Sequence, residues 1–273
     1  GSAAKVLLAT ATPAVYTFHN VMTGKYGLVK LTRRYGNICL PEIIVEDVRE
    51  LRRKKLMKTP LSPRLLSEMQ AAFGRKEQVI LFQNRRGYSP VLECRQCGWV
   101  PRCRSCDVSL TLHQREGRMV CHYCGASHPI PRQCPQCGST DLRDMGYGTE
   151  RIEEVVTTLF PEARVARMDL DTTRTRSAYE RMLDDFAHGR TDVLIGTQMV
   201  TKGLDFERVR VVGILNADQL LNQPDFRAYE RGFQMMAQVA GRAGRRGRQG
   251  RVVLQTRQPD LPVIRQVVNN DYC

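Results

Sequence analysis

The sequence predicts an α/β fold, a mostly parallel sheet covered on both faces, interrupted by one small cross-linked module. Three observations carry the prediction. Short apolar runs alternate with amphipathic stretches that begin at helix-capping residues, the pattern of strand–helix–strand units. Four Cys-x-x-Cys pairs crowd into one segment and break that alternation. At 273 residues the chain is long enough for a sizeable core with a small module beside it.

Taken in order, residues 6–8 read as a strand running into Thr10-Ala11-Thr12-Pro13, and 28–31 and 43–45 as further short strands. Residues 49–58 are basic and lack glycine, which suits an exposed helix or a linker. Ser62 caps a helix with Pro63 at its first position; Leu65, Leu66, Met69 and Phe73 form its apolar face, and Gly74 stops it. Residues 79–82 are a buried strand leading to Asn84-Arg85-Arg86-Gly87-Tyr88. Beyond the cysteines, Thr149 caps a helix whose face is Ile152, Val155, Val156 and Leu159. Residues 165–168 form a strand that ends in Asp169-Leu170-Asp171-Thr172. Ser177 and Glu180 make a capping box for a helix with Tyr179, Met182, Leu183 and Phe186 on one side.

The strand at 193–195 leads to Gly196-Thr197-Gln198, and the one at 209–215 to Asn216-Ala217-Asp218. A helix over 227–240 carries Tyr229, Phe233, Met236 and Ala237; 252–254 is a last strand and 261–268 a last helix. A parallel sheet binds ligands at the carboxyl ends of its strands. Thr10, Asn84, Asp169, Thr197 and Asp218 all follow apolar runs, so they are expected along one edge.

The cysteine pairs are Cys94/Cys97, Cys103/Cys106, Cys121/Cys124 and Cys134/Cys137. Two thiolates three residues apart can turn a knuckle around one metal ion, and two knuckles complete a tetrahedral sulfur site. Eight cysteines therefore make two closed zinc sites. The loop between Cys106 and Cys121 has zinc-ribbon length, which predicts a nested arrangement: Cys103, Cys106, Cys121 and Cys124 inside, Cys94, Cys97, Cys134 and Cys137 outside. Disulfides would need a secreted context, and nothing at the N-terminus looks like a secretory signal. His113, His122 and His128 lie nearby and are read as solvated or supporting, because thiolates already fill both sites. Cys39 and Cys273 carry no reading.

The formal net charge is +14, which favours a polyanionic partner, nucleic acid by default. Asn84, Arg85 and Tyr88 at a strand end could grip a nucleic-acid backbone and stack on a base, or form an ordinary basic loop. No apolar run approaches membrane-spanning length. Reduced cysteines without a signal suggest cytoplasm, and Gly1-Ser2 without an initiator Met suggests a piece of a longer protein.

The strand-end motifs together resemble the second motor lobe of a superfamily 2 helicase. Gln238-Val-Ala-Gly-Arg242-Ala-Gly-Arg245 looks like motif six, Gly196-Thr197-Gln198 through Gly203-Leu-Asp205 like motif five, and Thr10-Ala-Thr-Pro13 like motif three. Eight cysteines between Asn84-Arg-Arg-Gly-Tyr and Gly-Tyr-Gly-Thr149-Glu narrow this to the PriA-type replication-restart helicases, as do Asp169-Leu-Asp171-Thr and Pro224-Asp225-Phe226-Arg227-Ala228. The resemblance runs over nearly the whole chain and implies a RecA-like parallel-sheet lobe with an inserted zinc module. It divides the chain into the end of a first lobe (1–13), the start of the second (14–92), a two-zinc insertion (93–138) and the rest of the second lobe (139–273).

By the same resemblance Arg242 and Arg245 reach ATP as an arginine finger, with Gln238 beside them. Thr197 contacts a DNA phosphate, and Gly203 and Asp205 couple DNA contact to the nucleotide cleft. Asn84, Arg85 and Tyr88 would lie on the same DNA track. The implied cofactors are two zinc ions, with ATP and magnesium in the complete protein. The implied partners are forked and single-stranded DNA, primosome proteins and single-stranded-DNA-binding protein, in a bacterial cytoplasm. The sequence holds no Gly-x-x-x-x-Gly-Lys-Ser/Thr and no Asp-Glu-x-His, so the lobe is expected to be inactive alone. A non-motor zinc-ribbon adaptor that docks DNA or protein is the alternative.

Overall fold

The computed structural model describes residues 6–31, 39–84, 91–113, 116–144, 148–169, 172–173, 175–197, 206–244 and 249–272. In chain order its elements are α1 (Val15–Met22), β1 (Glu42–Asp47), α2 (Val48–Arg53), α3 (Pro63–Gly74), β2 (Gln78–Phe82), β3 (Leu92–Cys94), β4 (Thr111–His113), β5 (Arg118–Val120), β6 (Ser127–Pro129), β7 (Leu142–Asp144), α4 (Thr149–Leu159), β8 (Val165–Met168), α5 (Arg176–Ala187), β9 (Val193–Gly196), β10 (Val209–Ile214), α6 (Ala217–Leu221), α7 (Ala228–Ala240), β11 (Arg251–Thr256) and α8 (Pro262–Asn269).

Six strands form one sheet in the order β1-β11-β10-β2-β9-β8, and every neighbouring pair is parallel. Alternation along each strand sorts the apolar side chains into two cores. Val79 and Leu81 of β2 and Val253 of β11 face Leu65, Met69, Ile152 and Val156 of α3 and α4. Ile80, Phe82, Val252 and Leu254 face the other way, against Phe186, Phe233, Met236 and Ile264 of α5, α7 and α8. Each such side chain, fully buried, contributes roughly 1.5–3 kcal/mol. The RecA-like α/β lobe with an inserted metal-binding module is therefore the architecture observed.

The insertion has its own small core, in which Leu110, Leu112 and Met119 pack around Cys103 and Cys121. Strands β4, β5 and β6 form an antiparallel sheet, and β3 pairs antiparallel with β7. Among the described residues, no helix is long and apolar enough to cross a membrane.

Several local expectations are corrected. Residues 6–8 and 28–31 are not strands; Val6, Leu7, Val29 and Leu31 are more than four-fifths exposed. An apolar run becomes a strand only where a neighbour takes up its backbone ladder, and among the described residues these runs pair with no strand. Thr10 therefore follows no strand. Two helices went unforeseen: α1, and α6, where the Asn216 side chain caps the turn read only as a strand end. The basic run at 49–58 is helical only to Arg53, and Lys55 takes a left-handed φ of 57°. Ser62 does cap α3, accepting from Leu65 N. Helix α3 runs through Gly74 to Arg75, with Lys76 supplying the left-handed residue.

The caps of α4 and α5 shift. Gly148 occupies the N-cap of α4, while Thr149 Oγ1 donates to Asp169 Oδ2 at 2.7 Å. At α5 the cap is Thr175, and Glu180 pairs with Arg176 rather than with a cap residue.

Candidate metal centres and the carboxyl edge of the sheet

Four knuckles of one design hold the cysteines. In each, the residue after the second cysteine donates its N–H to the carbonyl of the first: Gly98 to Cys94, Asp107 to Cys103, Gly125 to Cys121 and Gly138 to Cys134, at 2.8–3.0 Å. All four of those residues have left-handed φ, between 49° and 77°, which glycine adopts without strain and aspartate tolerates. The first cysteine's own N–H is taken by the chain one residue further on, as in Cys94 N to Trp99 O at 2.8 Å. With its backbone satisfied internally, each knuckle leaves two sulfurs free to point the same way.

The sulfurs gather in the nested arrangement, Cys94, Cys97, Cys134 and Cys137 in one cluster and Cys103, Cys106, Cys121 and Cys124 in the other, each within 4.8 Å throughout. Cys94–Cys137, Cys97–Cys134 and Cys103–Cys124 are 3.6 Å apart. A disulfide would need about 2.05 Å. A tetrahedron of sulfurs about 2.3 Å from zinc has edges of about 3.8 Å. Both sets therefore fit a zinc ion, which would be held by four thiolates and closed to further ligands. As thiols they are mutually frustrated: burial pushes Cys97 up to about 12, and hydrogen bonding with Cys124 pushes Cys106 up to about 12. Backbone donors at Ser105 and Cys106 hold Cys103 down at about 7.

Contacts at two places fasten this module to the lobe. At the outer centre, Arg257, just beyond β11, ion-pairs with Glu93 and donates to the carbonyl of Cys94. Its backbone N–H bonds Asp218 Oδ2 at 2.8 Å, and Thr256 Oγ1 bonds Asp218 Oδ1 at 2.8 Å. Burial pushes the Asp218 carboxyl up from its ordinary range, and burial also pushes Glu93 up to about 7 against the pull of Arg257. At the inner centre, Tyr123 Oη accepts from Phe226 N at 3.3 Å, and its ring meets Phe226 edge-on at 6.1 Å. Arg102 Nη2 donates to Tyr229 Oη at 2.8 Å. Apart from Cys94, read as a metal ligand, and Asp218, read as a strand-end residue, none of these residues was singled out as a site from sequence. Only the match at 224–228 touched them, and it gave no partner.

The strand-end residues do share an edge. Ile214 pairs with Phe82, and Phe82 and Met168 both pair with Gly196, so Asn84, Asp169, Thr197 and Asp218 follow on the same side. Their roles differ. Asp169 and Asp218 are absorbed in internal hydrogen bonds. Asn84 and Thr197 are 4% and 3% exposed, and Asn84 Oδ1 and Thr197 Oγ1 have no hydrogen-bond partner among the described residues. Arg85, Tyr88, Gly203, Asp205 and Arg245 lie outside the described residues.

Helix α7 starts on the side of this edge, after α6, and runs back to the opposite edge, where Gly244 N bonds the carbonyl of Val209, the first residue of β10, at 3.0 Å. Gly241 N bonds Ala237 O and Arg242 N bonds Val239 O, both at 3.0 Å. Gly244 then turns with a φ of 71°, and a Cβ there would sit 2.1 Å from Gly250 N. The glycine spacing thus has a backbone reason of its own. A cavity of about 680 Å³ opens beside the helix end, lined by Gln238 and Arg242 and by Thr10, Ala11 and Thr12 across from them. The Thr12–Val15 segment is held there: Val15 N donates to Glu230 Oε1 at 2.9 Å, and Gln234 Nε2 to Thr12 O at 3.2 Å. A second cavity, about 490 Å³, has Asn84 at one wall and Gln238 at another. Gln238 thus lines both cavities, one with Arg242 and one with Asn84.

Residues 103–129 match the PriA DNA helicase Cys-rich region (CRR) domain, and 147–247 the helicase conserved C-terminal domain. The chain is 43% identical to the replication restart protein PriA of Bacillus subtilis over 98% of its own length and 33% of that protein's. It is 44% identical to PriA of Haemophilus influenzae over 98% and 36%. It spans about a third of the curated relatives it matches. Among solved structures, RecG bound to a three-way DNA junction aligns with 96% of this chain and 25% of its own, at TM-score 0.51 and 12% identity, a likeness of fold. With the nested cysteine clusters set into a parallel-sheet lobe, these matches make the chain a member of the PriA family of replication restart proteins, carrying its cysteine-rich region and a helicase C-terminal lobe.

Proposed function

We propose that this chain is the second motor lobe of an ATP-dependent DNA helicase that moves 3′ to 5′ and restarts stalled forks by assembling the primosome. The observation that carries the reading is Gln238. It stands in the wall of the cavity that holds Arg242 and in the wall of the cavity that holds Asn84. A lobe that couples nucleotide to DNA needs such a shared wall, because a shift on one side must be felt on the other.

In this reading Arg242 and Arg245 present positive charge to the γ-phosphate of ATP, whose magnesium and phosphates are held by a first lobe. Residues 1–13 belong to that lobe's end, 14–92 and 139–273 to the second lobe, and 93–138 to the zinc insertion. Thr197 and Asn84, each with a buried oxygen lacking a partner among the described residues, contact the DNA backbone, a role shared by Arg85 and Tyr88. Gly203 and Asp205 link the two sides. The two zinc ions, held by the eight cysteines, supply no chemistry; they fix a small module whose outer surface can dock primosome proteins or single-stranded-DNA-binding protein. The protein works at bacterial forks, in the cytoplasm.

The test is steady-state ATP hydrolysis by the chain extended to include both lobes, with and without single-stranded DNA. Stimulation by DNA is expected, and the isolated chain should hydrolyse nothing. Hydrolysis indifferent to DNA would overturn the coupling role.

A further inference from the structure

Apart from the two cysteine clusters, the metal-binding module carries a pair of histidines that face each other in the open. His113 ends β4 and His122 directly follows Cys121. Their Nε2 atoms are 3.1 Å apart, with ring centroids 5.4 Å apart and planes tilted by 48°. His113 keeps 33% of its side-chain surface in water, and His122 is exposed. We propose that His113 and His122 form a third, exchangeable metal site that takes a divalent cation of the zinc or copper(II) class.

The geometry suits such an ion. Two imidazole nitrogens at about 2.0–2.1 Å from one cation lie about 3.3 Å apart in a tetrahedron and about 2.9 Å apart at neighbouring corners of a square. The observed separation falls between. Imidazole also selects borderline cations over calcium or magnesium.

The protons balance. Without metal, one Nε2 carries the hydrogen that the other accepts. A cation needs both lone pairs, so that ring gives up its Nε2 hydrogen and takes one at Nδ1 through solvent, with no net change. For His113 the Nδ1 position faces Glu116, whose Oε1 is 3.9 Å away and whose carboxylate Arg118 holds in place. A carboxylate behind a ligating ring is the usual way its tautomer and orientation are fixed.

The site is separate from its neighbours. The inner cluster already has four sulfurs, and they group without either histidine. His128 takes no part: it lies opposite Met119, which lies opposite Leu112. That row faces the other side of the small sheet from His113. With only two protein ligands and solvent at the remaining positions, the ion exchanges, whereas the cysteine-bound ions are closed in.

The test is calorimetric titration with zinc sulfate of the chain, purified without a histidine tag and already holding two zinc ions. One further, weakly held zinc per chain is expected. It should bind about tenfold or more weaker in His113→Gln and in His122→Gln, with the two tight ions retained by both variants after desalting. No further ion, or the same further ion in both variants, overturns the proposal. So does loss of a tight zinc in His122→Gln, which would assign that histidine to the cysteine cluster.

Discussion

Arg257, the first residue beyond β11, ion-pairs with Glu93 of β3, and neither side chain keeps more than 7% of its surface in water. The same arginine reaches the Cys94 carbonyl with its guanidinium and Asp218 with its backbone. One residue thus ties the sheet to the outer metal centre. A buried pair is costly to break because the surviving charge is stranded. Arg257→Ala should lower stability by about 3 kcal/mol in chemical denaturation. Arg257→Met combined with Glu93→Leu should recover most of the loss, since it removes both charges and keeps the volume. A double variant as unstable as the single one would mean that the carbonyl contact, not the pair, holds the joint.

Gly98 and Gly125 separate the knuckle's own geometry from this joint. Both have φ near 75°, but a Cβ on Gly98 would lie 2.9 Å from Arg257 Cβ, whereas nothing lies within 4 Å at Gly125. Gly125→Ala should cost about 1–2 kcal/mol, the left-handed strain alone. Gly98→Ala should cost more, by about 1–3 kcal/mol of overpacking. Thermal melting of the two variants checks the order; equal losses would contradict the contact.

The metal content should be two zinc ions per chain by elemental analysis. Cys103→Ser should empty the inner centre and leave the outer one loaded, because the two clusters share no sulfur. Loss of both ions together would mean that the module folds only as a unit around its metals.

In the protein with both lobes, Arg245→Ala should reduce ATP turnover by something on the order of a thousandfold, as loss of an arginine finger does. DNA affinity should barely change. Arg242→Ala should fall in the same direction. Thr197→Ala should instead weaken DNA binding and with it only the DNA-stimulated part of turnover. Full turnover in Arg245→Ala would return the end of α7 to a basic surface.

Acid stability has one clear contributor. Asp192 takes a bidentate grip from Arg164, at 2.9 and 2.7 Å, and this hydrogen bonding holds its carboxyl below the ordinary value of 3.8. A lowered pKa means stability that is complete above about pH 4 and lost as pH falls through the folded value. Asp192→Asn should therefore destabilise at neutral pH, and its deficit should shrink as pH falls below about 4, measured by urea unfolding along a pH series. A deficit unchanged by pH would mean that the geometry of the carboxyl matters and its charge does not.

What the sequence made legible follows from how local each signal is. A cysteine knuckle is closed by its own few residues, so the four Cys-x-x-Cys pairs announced both clusters, and the ribbon length of the loop between Cys106 and Cys121 announced their nesting. The strands in the sheet were visible as apolar runs because their neighbours bury them on both faces. Residues 6–8 have the same composition and, among the described residues, no such neighbour, so composition misled. The caps at Thr149 and Ser177 failed for a related reason: a hydroxyl can bond a helix end or a distant carboxylate, and Asp169 won Thr149. Glu93, Arg257, Tyr123 and Tyr229 were invisible because their partners lie more than a hundred residues away. No periodicity records such a meeting.

The pairing of β3 with β7 has an architectural consequence. Leu92 faces Asp144 and Cys94 faces Leu142, so the chain leaves the lobe and returns to it through a single doorway about 5 Å wide. A detour with a closed entrance can be cut out or exchanged as a cassette without stretching anything behind it. Glu93 stands in the doorpost, not in the room. Bridging the stem with a short hairpin in place of residues 95–141 would leave Arg257 its partner, and the sheet behind it its full set of strands.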